Sequence, residues 1–99
     1  MKIGQPFEKE DVSVLEELLD EVSSGYALVV YNDDVNTFDW VIESLVKVCR
    51  HTVEQAEQCS ILIHFKGKCA VKHGEEIELI PMKEALLERG ITAKVEEVS

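Results

Sequence analysis

An α+β sandwich is the fold the sequence predicts: a three-stranded antiparallel sheet with three helices on one face, in the order β-α-α-β-α-β. Three observations point there. Apolar residues alternate with a period of two in some stretches and recur at three-to-four spacing in others, and the two patterns interleave along the chain. The later strand-like stretches keep one polar face, which suits antiparallel rather than parallel pairing. The chain has 99 residues, 45% of them hydrophobic, enough for one domain to bury a core without metal or disulfide support.

From Gln5 to Ser24 the chain is acidic, with Val12, Leu15, Leu18, Leu19 and Val22 at helix-like intervals. Two readings fit: one amphipathic helix, or an arm that orders on a partner. Ser23-Ser24-Gly25 breaks the pattern. Residues 1–24 are therefore read as an N-terminal extension, flexible or part-helical, and 25–99 as the core domain.

Tyr26-Ala-Leu-Val-Val-Tyr31 is apolar, rich in strand formers and too short for a buried helix, and Asn32-Asp33-Asp34 after it is turn chemistry. Such a junction holds polar groups on rigid support. Val35-Asn36-Thr37 offers N-cap side chains to a helix from Phe38 to Arg50, whose apolar face is Phe38, Val41, Ile42, Leu45, Val46 and Cys49. Asp39 in its first turn and Lys47 in its last suit the helix dipole. Thr52 with Gln55 forms a capping box that opens a second helix through about Ile63. Phe65, Gly67, Cys69 and Val71 then alternate with Lys66, Lys68, Ala70 and Lys72, which predicts a strand with its lysines mostly on one solvated face. Gly74 leads into a third helical region ended by Gly90, and Pro81 places the start of that helix just before the proline. Ile91, Ala93 and Val95 alternate with polar residues in a last half-buried strand.

Ten Lys and Arg stand against 20 Asp and Glu, a net charge of -10. Nucleic-acid binding draws most of its affinity from basic contacts, so that class is excluded and cationic partners are favoured. No apolar run reaches membrane-spanning length, and Met1-Lys2-Ile3-Gly4 leads into charged sequence, so the expected location is the cytoplasm. Cys49, Cys59 and Cys69 have no C-x-x-C spacing and are read as reduced thiols filling the core. A zinc site drawn from them with His51, His64 and His73 lacks the close ligand pairs such sites use. No cofactor or metal is expected.

Asn32-Asp33-Asp34 before a capped helix, a second helix ending in Ile63-His64, and the Gly67-Lys68 pair together resemble the ClpS family, adaptors of the ATP-dependent Clp protease. The resemblance spans most of Gly25 to Ser99 and implies the ClpS-like sandwich. It also implies a function: binding the free α-amine and bulky hydrophobic first residue (Phe, Tyr, Trp or Leu) of N-degron substrates, and delivering them to the N-terminal domain of a Clp AAA+ unfoldase. On that resemblance Asn32, Asp34 and His64, with Asp33 beside them, hold the amine. Asn36, Phe38, Val41, Ser60 and Ile63 form the side-chain pocket, with a last position at Ile91 or Thr92. Where the family usually has Tyr, Thr, Pro and Met after its N-D-D turn, this chain has Val35, Asn36, Thr37 and Phe38, and Ser60 stands where Met is common. Ser60 opening space beside the Phe38 ring predicts a preference for large aromatic guests. The expected state is a monomer with no enzymatic activity. Two alternatives stand: a relative that docks on the unfoldase without N-degron binding, and a metal-dependent hydrolase using Asp33, Asp34 and His64.

Overall fold

The computed structural model describes residues 25–98. Its elements are β1 (Tyr26–Tyr31), α1 (Phe38–Cys49), α2 (Val53–Lys66), β2 (Lys68–Gly74), α3 (Glu76–Glu88) and β3 (Ala93–Glu97). The sheet order is β2-β1-β3, with β1 antiparallel to both neighbours. This is the α+β order that the periodicities predict. The reading of 1–24 as an extension lies outside the described residues.

Central β1 is apolar throughout because both of its faces are covered. Leu28 and Val30 enter a core with Leu45, Ala56, Leu79 and Leu86. Ala27 and Val29, which point the other way along a strand of period two, are also buried. Long side chains shield that outer face: Lys68 and Lys94 reach over the Tyr31 ring at 5.8 and 5.5 Å, and the Tyr31 hydroxyl donates to Glu96.

Local signals set most helix ends. Thr37 caps α1, its hydroxyl accepting from the Trp40 N–H at 3.1 Å. That helix ends at Cys49, one residue before the expected bound, and Arg50 caps it in the left-handed region at φ 61°. Thr52 and Gln55 exchange both bonds of the capping box. At the end of α3, Gly90 takes φ 84°, the Gly90 N–H bonds to Leu87 O and the Ile91 N–H to Leu86 O. That is a Schellman stop, and buried Leu86 and Ile91 supply its apolar contact.

Three expectations change. Helix α2 does not stop at Ile63 but runs on to Lys66, and Phe65 and Lys66 are helical rather than extended. Its true stop is Gly67, at φ 94°, whose N–H bonds to Ile63 O at 3.0 Å; the short alternation across this boundary imitated a strand. Lys72 does not share the solvated face of Lys68. The β1–β2 register shifts between Leu28 and Val29, so that Leu28 faces Lys72 and Val29 faces Ala70. The bulged residue is Val71, buried in the core, and the bulge turns Lys72 toward the helices, where its Nζ donates to Cys49 O at 3.0 Å. Finally, α3 starts at Glu76, well before Pro81, which sits inside it. The proline removes the bond to the carbonyl of Ile77, and both residues are exposed, so water can solvate that carbonyl.

Helices α1 and α3 are clasped through Arg89. Its guanidinium lies 4.4 Å from the centre of the Trp40 ring, its Nε donates to Ser44 Oγ at 2.8 Å, and Trp40 Nε1 donates to Arg89 O at 2.9 Å.

The cysteines are free, and although they come from three elements, Cys59 and Cys69 meet. A hydrogen bond between the two thiols raises the Cys59 pKa and lowers that of Cys69. Burial pushes the Cys49 thiol up to about 11.

Candidate functional site: a hollow at the end of β1

The turn after β1 is built by its own side chains. Asn32 Oδ1 accepts from the Asp34 N–H at 3.3 Å, and Asp33 Oδ1 accepts from the Val35 N–H at 3.1 Å. These are two overlapping Asx-turns, which explains Asn-Asp-Asp at this point. Asp34 takes the left-handed conformation, φ 63°, which Asp tolerates better than most residues.

Tertiary bonds fix the turn to two other element ends. The Asn32 N–H donates to Gly67 O at 2.9 Å, and the Tyr31 N–H to Thr92 O at 3.0 Å. Asn36 Nδ2 bridges the Asp33 carboxylate and Gly90 O, each at 2.9 Å. The Thr92 hydroxyl adds a contact to Asp33 Oδ2 at 3.3 Å. Partial burial of Asp33 pushes its carboxyl up, but the bonds from Val35, Asn36 and Thr92 outweigh this and hold it below the usual carboxylate range.

Beside this turn lies a shallow hollow whose enclosed space is about 30 Å³, or about 260 Å³ counted out into the open solvent at its mouth. It is lined by Asn32 and Asn36 from the turn, Phe38 and Val41 from α1, and Ser60, Ile63 and His64 from α2. Exposure grades from mouth to floor: Asn32 and His64 are exposed, Phe38 is 42% exposed, and Ile63 and Ser60 are 5% and 2% exposed. The His64 ring sits edge-on to Phe38 at 5.5 Å and to Phe65 at 4.8 Å. Helical spacing accounts for the gathering on α2: Ser60, Ile63 and His64 are three and four residues apart and share one face. At the floor, Ser60 Oγ is buried without a hydrogen-bond partner among the described residues, a state that costs about 1–3 kcal/mol.

Seven of the nine residues that the sequence singles out thus line one hollow. Asp33 and Asp34 do not: the Asp33 carboxylate is turned into the turn's own donors, and Asp34 stands exposed on the turn. Nor do Ile91 and Thr92 line it; Ile91 is core, while Thr92 braces Asp33. Sequence reasoning missed the roles of Gly90 O and Thr92 as supports of the turn, because both depend on tertiary approach. Among the described residues no three His, Cys, Asp or Glu side chains converge as metal ligands. A wider groove of about 690 Å³ between the start of α2 and β2, near His51, Gln55, Cys59 and Val71, includes none of the expected site residues.

The same fold occurs in the structure of Agrobacterium tumefaciens ClpS2 bound to L-phenylalaninamide, with a TM-score of 0.67 and 22% identity over 75% of this chain and 96% of that one. The sheet and its three helices therefore form the same small α+β fold as that structure. Residues 21–94 match the family model described as ATP-dependent Clp protease adaptor protein ClpS. The ClpS adapter of Campylobacter jejuni is 35% identical over 79 residues, 73% of this chain and 81% of the relative. That of Edwardsiella ictaluri is 35% identical over 68 residues, 67% of this chain and 61% of the relative. The chain belongs to the ClpS family.

Proposed function

We propose that this ClpS-family protein binds the free N-terminus of proteins whose first residue is bulky and hydrophobic, and presents them to the N-terminal domain of a Clp AAA+ unfoldase. The observation behind this reading is the single hollow that joins a polar mouth to an apolar interior. A free α-amine has a pKa of about 7.7–8.0 and is largely cationic at neutral pH. Asn32 and His64 at the mouth offer acceptors to it, the imidazole through an unprotonated nitrogen, while Asp33 and Asp34 on the adjoining turn add negative charge. Phe38, Val41 and Ile63 supply the surface for the first side chain. The two halves contribute comparably: about 1.5–3 kcal/mol for hydrogen bonds to the charged amine, and about 1.5–3 kcal/mol for burying a Leu or Phe side chain. L-phenylalaninamide, the molecule in the Agrobacterium relative, has both features, a free α-amine and a benzyl side chain.

The test is fluorescence anisotropy with peptides that begin with Phe, Tyr, Trp or Leu, free or N-acetylated, against wild type and Asp34→Ala. Acetylation is expected to weaken binding at least about tenfold, and Asp34→Ala to weaken it for every free-amine peptide. Equal affinity for acetylated and free peptides would refute the reading. Binding to the unfoldase domain without peptide affinity would leave only a docking protein.

A further inference from the structure

We propose that Ser60 reads the far end of the first side chain, its hydroxyl pairing with the phenolic hydroxyl of an N-terminal tyrosine, so that the hollow selects Tyr over Phe. This rests on the N-terminus-binding reading above and narrows its guest.

Ser60 Oγ is buried at the floor of the hollow and has no hydrogen-bond partner among the described residues. A helical serine ordinarily relieves such a state by bonding the carbonyl one turn back, and this hydroxyl makes no such bond. The other lining polar groups, Asn32, Asn36 and His64, belong to the mouth and the turn, whereas the residues around the interior, Phe38, Val41 and Ile63, are apolar. One polar atom in an apolar floor calls for a guest that is apolar along its length and polar at its tip.

The distances agree. Ser60 and His64 lie one helical turn apart on the same face of α2, a rise of roughly 6 Å. An amine held beside His64 places its Cα near the mouth, and the para position of an aromatic ring reaches about one helical turn beyond Cα. The phenol reaches Ser60 as the entering ring widens the hollow, since Ser60 Oγ has no open surface in the unliganded protein, whereas leucine ends short of it and phenylalanine leaves it unpaired. A site with a buried polar group discriminates against the guest that cannot pair with it.

Isothermal titration with peptides differing only in a first residue of Phe or Tyr, plus N-acetyl-Tyr, provides the test, using the full chain and Ser60→Ala. In the wild type, Tyr is expected to bind roughly three- to tenfold tighter than Phe, the span of one net hydrogen bond. Ser60→Ala is expected to bring the two affinities together. Alanine is the better helix former, and a thermal melt verifies that the variant is folded. Equal wild-type binding of Phe and Tyr, as when a water already satisfies Ser60, overturns this inference and leaves the N-terminus reading standing; so does a Tyr preference that survives in Ser60→Ala. If neither free-amine peptide binds, or N-acetyl-Tyr binds as well as Tyr, both readings fall.

Discussion

Asp33 is the residue on which the turn converges, since its carboxylate accepts from Val35, Asn36 and Thr92. Its folded pKa lies below the unfolded value of about 3.9. Its contribution to stability is therefore present in full above that unfolded value and lost as pH falls through the folded one. Asp33→Asn keeps one acceptor oxygen and places an amide among donors. It is expected to destabilise by about 1 kcal/mol near pH 7, a figure kept small by solvent screening, and the gap from wild type should close below about pH 4. Urea unfolding of both chains between pH 3 and pH 7 checks this; a gap that stays constant through pH 3 would exclude the carboxylate as the source. The sequence made Asn32 to Asp34 legible as turn residues because Asx chemistry is local. It did not separate Asp33, the internal brace, from Asp34, the exposed carboxylate, because the difference comes from Thr92 and Gly90, more than 50 residues along the chain.

At the scale of elements, the same division between local and tertiary causes explains what could be read. Capping by Thr37, Thr52 and Gln55 and the stop at Gly90 were legible, since each is fixed within a few residues. The bulge at Val71 was not, because a register shift arises between strands and leaves no mark on the bulged strand alone. Pro81 misled because a proline costs most where its lost bond is buried, and here the affected turn faces water. The clasp between α1 and α3 is another tertiary product. Arg89→Ala removes the cation–π contact with Trp40 and leaves the fully buried Ser44 hydroxyl without its donor. The expected loss is about 2 kcal/mol, read by urea unfolding. A change within about 0.5 kcal/mol, the range of an ordinary surface substitution, would show that the clasp adds nothing.

For the molecule as a whole, the reading of residues 25–99 as an independent domain remains a proposal with a direct test. The core cluster draws on β1, all three helices, β2 and the segment entering β3. A chain trimmed to residues 25–99 is expected to melt within a few degrees of the full chain. A drop beyond about 5 °C, roughly 1 kcal/mol for a domain of this size, would assign stabilising contacts to residues 1–24. The overall topology was legible because each element's periodicity agreed with its neighbours'. The hollow was legible only through the family resemblance, since its lining joins one turn and two helices.

The bulge at Val71 has a consequence outside the site. Among the described residues β2 and β3 form the two borders of the sheet, and an unpaired edge is a template for any extended polypeptide that drifts past. The register break in β2 and the row of Lys94, Glu96 and Glu97 on β3 make both borders poor templates. Irregularity in β2 and charge on β3 thus make strand addition at either border unfavourable.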